Sequence, residues 1–125
     1  EHEEAVDRLL PAVRKNGVKL VSGAGYNSGF IAGRDRYNYK PHIPKGMTEK
    51  RDKIKDIAKA NGTDIITAAM HFVLAADEFA AIIPGASKTE QVADNVKAWK
   101  SSIPSDFWKE LKAEGLIYEK AQTPS

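Results

Sequence analysis

The apolar positions near the start of the chain first recur with helical spacing and then form a short continuous run. An amphipathic helix ending near Asn16 is predicted from the residues that share one face, namely Val6, Leu9, Leu10 and Val13. Pro11 lies inside that pattern, so the helix either begins near Leu10 or kinks there. The apolar, β-branched residues 18–22 then predict a buried strand.

Two helices with different apolar patterns are predicted in the middle of the chain. Thr48 can cap a helix that runs to Asn61, and its narrow apolar stripe predicts a surface position. The next helix is capped by Thr63 or Asp64. It is apolar on almost every side from residue 65 to residue 74, so we expect it to be buried.

A second buried strand and two further helices are predicted from residue 80 onward. Residues 80–83 form the strand, and residues 87–90 have the sequence of a capping box for a helix. One face of that helix is apolar, with Val92, Val96 and Trp99. The last helix begins near Pro104 and ends at Gly115. Its apolar face holds Phe107, Trp108 and Leu111.

The alternation of helices with two short strands predicts an α/β fold with parallel strands and right-handed crossovers. Residues 23–47 fit no regular element longer than a turn or two, and they are rich in glycine, proline and tyrosine. Irregular segments of this length in compact domains are uncommon and often functional. At 125 residues the chain is too short for a complete eight-fold βα barrel, which takes about 200 residues or more.

Composition narrows the possible functions. A net charge of +2 is not the electrostatic pattern of a nucleic-acid-binding protein. The chain has no cysteine, which excludes disulfides, thiol catalysis and cysteine metal sites and fits a cytoplasmic location. The longest apolar stretch, residues 65–76, is too short to span a bilayer, so no membrane partner is expected. The chain begins without Met or a signal-like region, and we expect that it was cut from a longer protein.

The clearest local candidate for chemistry is the passage from the second strand, through residues 84–87, into the next helix. A helix N-terminus that follows a strand offers free N–H groups and a partial positive charge, which suit a phosphate, and Lys88 adds a full charge. Capping boxes are common and phosphate sites are not, so the residues alone favour an ordinary cap. The glycine-rich stretch after the first strand lies at the same end of the predicted sheet, which shifts the balance slightly toward a ligand site.

The remaining polar residues indicate no catalytic set. His71 lies on the apolar helix, where a hydrogen-bonded core histidine is the better interpretation than a ligand or a base. The mixed basic and aromatic residues 34–40 are best explained as a solvated loop packed by its tyrosines. No carboxylate pair, Ser/His/Asp set or metal-binding spacing is present, so no catalytic and no metal-binding residue is assigned.

Two long stretches resemble the C-terminal part of the aldo-keto reductases. They are GVKLVSGAGYNSGFIAGRDRYNY at residues 17–39 and TAAMHFVLAADEFAAIIPGASKTEQVADNV at residues 67–96. The run IPGAS followed after seven residues by Asn95 is quite specific, as is YNSG-x-x-AG. The similarity covers nearly the whole chain and is strongest to the subgroup of aldose or L-fucose dehydrogenases and pyridoxal dehydrogenases.

This resemblance implies the fold and the reaction. The chain would be one partial domain over residues 1–125, forming the C-terminal portion of a (β/α)8 barrel with residues 18–22 and 80–83 as its seventh and eighth strands and with about five helices. Members of the family bind a nicotinamide dinucleotide at the carboxyl ends of the strands. They transfer hydride between that cofactor and an aldehyde, ketone or hemiacetal.

The resemblance also implies which residues hold the cofactor. Ser28 matches a serine that contacts the pyrophosphate, and Gly23 stands where many members have an aromatic residue that stacks on nicotinamide. The adenosine ribose would lie on Gly85, Ala86, Ser87 and Lys88. The 2′ substituent and the adenine would meet Gln91, Asp94 and Asn95. Members that prefer NADP place lysine at position 85 and arginine at position 91, so NAD is favoured here, with Lys88 as a partial counter-argument.

The family's catalytic tyrosine, lysine, aspartate and histidine come from earlier strands that this chain does not contain. We therefore expect a cofactor-binding fragment that is inactive alone. Its strands would expose apolar residues and unpaired edges, so we also expect self-association. The alternative function is a non-enzymatic helical α/β module that binds a partner through residues 23–47.

Overall fold

The computed structural model describes residues 2–23 and 25–125. Glu1, and Ala24 of the predicted loop 23–47, lie outside the described residues. The chain begins with a short helix α1 (His2–Glu4), a π-helical turn (Ala5–Leu9) and helix α2 (Leu10–Lys15). Pro11 explains the widened turn, because its ring has no N–H to donate and crowds the carbonyl four residues before it. The helical backbone therefore continues from His2 to Lys15 through a distorted turn just before Pro11, and the sequence alternative in which the helix begins near Leu10 is wrong.

Strands β1 (Leu20–Ser22) and β2 (Phe79–Ile82) pair in parallel, which confirms the predicted α/β arrangement. Strand β1 is shorter than the predicted run 18–22, and β2 has the predicted length but begins one residue earlier than the predicted run 80–83. The expectation that they are buried is wrong: the side chain of Val21 is 57% exposed and that of Ile83, just after β2, is 62% exposed. In the described part of the chain each strand pairs only with the other, so each keeps one open edge.

Helices α3 (Met47–Ala60) and α4 (Ile65–Leu74) follow the loop. Helix α3 begins one residue before the predicted cap Thr48, because Gly46 takes the capping position with a φ of 83°. The cap of α4 is Asp64, as one of the predicted alternatives states, and its carboxylate accepts hydrogen bonds from the N–H groups of the first turn. Helix α4 is buried on one face rather than all round, since several of its apolar residues remain partly exposed.

The core lies where helices α3 and α4 meet helix α6 (Ser105–Ala113). Phe107, Trp108 and Leu111 are almost fully buried there, as the apolar face of the last helix predicts. The rings of Phe107 and Trp108 pack edge to face with centroids 4.8 Å apart. Helix α4 of this core packs against β2.

Helix α5 (Thr89–Lys100) joins β2 to this core and places its N-terminus beside the carboxyl end of the sheet. The apolar face predicted for it remains largely exposed to solvent. Val92, Val96 and Trp99 are all exposed, and Ala98 alone is buried. Among the described helices, none has both the length and the apolar character needed to cross a membrane.

Candidate functional site

A cleft of about 610 Å³ opens at the carboxyl ends of β1 and β2, where both glycine-rich segments leave the sheet. Because the strands are parallel, their carboxyl ends lie at the same edge of the sheet. Residues about 60 positions apart in sequence therefore line one cleft. The volume is within the range of small-molecule sites. Eight of the nine residues implied by the family resemblance line it: Gly23, Ser28, Gly85, Ala86, Ser87, Gln91, Asp94 and Asn95.

Lys88 is the ninth of these residues, and it is not part of the cleft wall. It occupies the N-cap position of α5 with extended backbone angles and an exposed side chain. The helix begins at Thr89, one residue later than the predicted box over residues 87–90 requires. The box is therefore closed by Gln91 and not by Glu90.

The side chain of Gln91 caps the N-terminus of α5. Its Oε1 accepts hydrogen bonds from the backbone N–H of Ser87 at 2.7 Å and of Lys88 at 3.2 Å. The Ser87 hydroxyl lies 3.2 Å from the same oxygen. The backbone N–H groups of Ser87 and Lys88 thus already have an acceptor and are not free to bind an anion. The N-terminus of α5 alone is therefore a weaker anion site than the sequence predicts.

The loop wall of the cleft is folded by two hydrogen bonds between residues eleven positions apart. The Ser28 hydroxyl accepts from the backbone N–H of Tyr39 at 2.9 Å, and the Asn27 carboxamide oxygen accepts from that of Asn38 at 2.7 Å. All four residues have positive φ, between 45° and 64°. Left-handed backbone costs energy in residues other than glycine and clusters at functional sites. The bonds hold Ser28 in the wall.

Ten further described residues also line the cleft, and those with polar or charged side chains are Tyr26, Arg34, Arg36 and Tyr39. The side chain of Arg34 crosses the backbone of Gly29 so closely that a Cβ there would lie 2.6 Å from its Cδ. The sequence feature that could have placed these residues at the site is the group of basic and aromatic residues beside the glycine-rich stretch. Sequence reasoning assigned residues 34–40 to a solvated loop, because the return of the loop onto the strand ends depends on tertiary contacts.

Open space at the glycines suits the close approach of a ligand. A Cβ added at Gly23 or at Gly85 would meet no atom within 4 Å, so the backbone at both positions borders the cleft. The two arginines supply the positive charge that a diphosphate requires. Small residues, the two arginines and the carboxamides of Gln91 and Asn95 thus surround one cleft.

Tyr26 and Asn95 join the two walls of the cleft. The Tyr26 hydroxyl donates to Oδ1 of Asn95 at 3.0 Å, across 69 positions of sequence. Partial burial raises the pKa of the Tyr26 phenol, and the nearby Asp64 carboxylate raises it further. The phenol therefore keeps its proton and acts as a donor.

The position of His71 supports the assignment made from sequence. A ring nitrogen of His71 lies 3.0 Å from the backbone oxygen of Ala98, so this partly buried histidine has the hydrogen-bond partner expected of it. Within residues 2–23 and 25–125, no group of three or more histidines and carboxylates is arranged to hold a metal ion.

A parallel strand pair whose carboxyl ends carry two glycine-rich turns around one cleft is an α/β arrangement, and proteins of this class commonly bind ligands at the strand ends. The chain belongs to the aldo/keto reductase family, whose sequence model matches residues 3–114. The chain is 32% identical over 113 residues to pyridoxal 4-dehydrogenase of Microbacterium luteolum, an alignment that covers 87% of this chain and 33% of that enzyme.

These comparisons confirm the family resemblance and its fold. The two parallel strands and the helices around them are part of the (β/α)8 barrel of this family. The chain spans about a third of the length of the relative it matches.

Proposed function

We propose that this chain supplies the wall of an NAD(P)-dependent oxidoreductase site that holds the pyrophosphate and adenosine of the cofactor. The observation that supports this is the convergence on one cleft of eight residues, taken from two segments about 60 positions apart, that family resemblance links to the cofactor. The bound cofactor would accept or donate a hydride. The chain's residues would bind and orient it.

Each wall has a distinct part in this binding. Ser28, Arg34 and Arg36 lie on the loop wall, where charge-assisted hydrogen bonds would hold the diphosphate. Gln91 and Asn95 lie on the α5 wall, where their amides suit the ribose and the adenine. Gly85 and Gln91 are uncharged, and a 2′-phosphate would find little charge on this wall, so we propose NAD as the preferred cofactor.

The relative's name suggests the class of substrate. Pyridoxal 4-dehydrogenase acts on an aldehyde, and the family resemblance extends to dehydrogenases of aldoses. We propose a small aldehyde or hemiacetal as the substrate of the whole enzyme, which we expect to be cytoplasmic because the 125 residues contain no cysteine.

Titration of the chain with ADP-ribose tests the proposal, since ADP-ribose has the diphosphate and adenosine but no nicotinamide. We expect saturable binding that Arg36→Ala weakens about threefold to tenfold, as the loss of a charged hydrogen bond implies. The matched control is Arg8→Ala, because Arg8 is exposed, pairs with Glu4 and lies outside the cleft wall. Absence of binding by the unaltered chain, or equal loss in both variants, contradicts the proposal.

A further inference from the structure

The hydrogen bond between Tyr26 and Asn95 joins the two walls of the cleft and also bears on the orientation of the Asn95 carboxamide. Tyr26 belongs to the turn after β1, and Asn95 lies in the second turn of α5. Both side chains are partly buried and both line the cleft. No second hydrogen bond of either side chain is found within the described residues.

A carboxamide has an acceptor end and a donor end, and its neighbours decide which end faces a ligand. The Tyr26 phenol is protonated and donates to Oδ1 of Asn95. The Asp64 carboxylate, whose charge acts on the Tyr26 phenol, does not accept this hydrogen bond. Its two oxygens already accept from the first turn of α4, from the N–H groups of Ile66 and Thr67 and from the Thr67 hydroxyl. The Asn95 oxygen is therefore engaged by Tyr26, and Nδ2 is left as a donor without a partner among the described residues.

We propose that Tyr26 is a positioning residue of the cofactor site: its hydroxyl holds the Asn95 carboxamide so that the two Nδ2 hydrogens are offered to an acceptor nitrogen of the adenine ring. The inference rests on the proposed function. It goes further by assigning a role to a tyrosine that touches the adenine only through another residue. It also predicts that Asn95 pairs with an adenine atom that accepts a hydrogen bond and not with one that donates.

Binding of ADP-ribose by four variants of the chain, measured by calorimetry, tests this role. Tyr26→Phe removes the hydroxyl and keeps the ring, so we expect affinity to fall about threefold to tenfold. Asn95→Ala should weaken binding at least as much, and adding Tyr26→Phe to it should have no further effect, because Tyr26 acts through Asn95. The matched control is Tyr118→Phe, which removes a hydroxyl bonded to Asp7 outside the cleft wall and should leave affinity unchanged.

A purely structural role for Tyr26 gives a different pattern. If the hydroxyl only stabilises the loop, Tyr26→Phe weakens binding equally with and without Asn95, and it also weakens binding of inorganic pyrophosphate. Either result overturns the inference while leaving the proposed cofactor site in place. If the unaltered chain does not bind ADP-ribose, the proposed function and the inference fail together.

A second variant keeps the test decisive if Tyr26→Phe does not fold. Asn95→Asp retains an oxygen that accepts from Tyr26 and replaces the Nδ2 donor with a second acceptor. We expect its thermal unfolding temperature to stay close to that of the unaltered chain and its affinity for ADP-ribose to fall about tenfold or more. Unchanged affinity in this variant overturns the inference.

Discussion

The side-chain oxygen of Gln91 lies 2.7 Å from the backbone nitrogen of Ser87, so a residue of α5 closes the turn that leads into its own helix. The same oxygen accepts from the N–H of Lys88. In the family resemblance this is the position where NADP-preferring members have an arginine. We therefore expect position 91 to affect two properties together, the stability of the start of α5 and, if the proposed cofactor site is correct, the charge offered to the 2′ substituent.

Replacement of this residue should separate those properties. We expect Gln91→Arg to lower the free energy of unfolding by about 1 kcal/mol, because the two N–H groups lose their acceptor. The same variant should bind 2′-phospho-ADP-ribose more tightly relative to ADP-ribose, whereas the unaltered chain should favour ADP-ribose. Urea unfolding and calorimetric titration with both ligands measure the two effects.

Gln91→Glu is the matched control for the cap. Its carboxylate can accept from the same N–H groups, so stability should be retained or increased, while affinity for the 2′-phosphate should fall further. A clear preference of the unaltered chain for 2′-phospho-ADP-ribose contradicts the proposed selectivity for NAD.

Local signals in the sequence predicted those elements whose energetics are local. Asp64 caps α4 as expected, because a carboxylate before an apolar run satisfies first-turn N–H groups in almost any context. The apolar face of α6 predicted the burial of Phe107 and Leu111, since burial of such a stripe is the main contribution to the stability of a short helix.

Non-local features were predicted less well. Val21 was expected to be buried from its β-branched neighbours, yet burial needs a covering element and none of the described residues provides one. Arg34 and Arg36 were assigned to solvent, because only the folded loop, held by the bond from the Tyr39 N–H to Ser28, brings them to the strand ends. The cap at Gln91 instead of Glu90 depends on a one-residue shift of the helix start, which propensities do not resolve.

We expect the 125-residue chain to have no dehydrogenase activity by itself. General acid–base catalysis contributes roughly 10²–10⁴-fold to rate and needs a group free to exchange a proton with the substrate. The Tyr26 hydroxyl is bonded to Asn95, and the His71 ring is bonded to the backbone of Ala98. Formation of NADH is measured with an aldose or with pyridoxal, and any detectable cofactor-dependent rate of the pure chain contradicts the expectation.

The open sheet edges predict self-association of the chain. Val21 and Ile83 are more than half exposed beside strands that each keep one unpaired edge within the described structure, and such edges pair readily with other chains. Val21→Lys should shift sedimentation profiles toward monomer, because a charged side chain on an edge strand opposes pairing. The matched control is Leu9→Lys, which changes an exposed apolar residue away from the sheet and should leave association unchanged. A monomer that persists at high concentration without binding a hydrophobic dye contradicts this prediction.

The ion pair between Glu78 and Arg14 predicts a loss of stability in acid. The Glu78 side chain is buried at the start of β2, where its own backbone N–H and then the Arg14 guanidinium, with Nε donating at 2.7 Å, lower the pKa of the carboxyl below its usual 4.5. A lowered pKa in the folded state means that the stabilisation is complete above pH 4.5 and is lost as the pH falls through the folded pKa.

Glu78→Gln should therefore flatten the acid limb of the unfolding free energy measured by urea titration at several pH values. Glu114→Gln, which removes an exposed pair with Lys53, should leave that limb almost unchanged, because solvent screens the pair. Equal flattening in both variants would show that burial of Glu78 is not the cause.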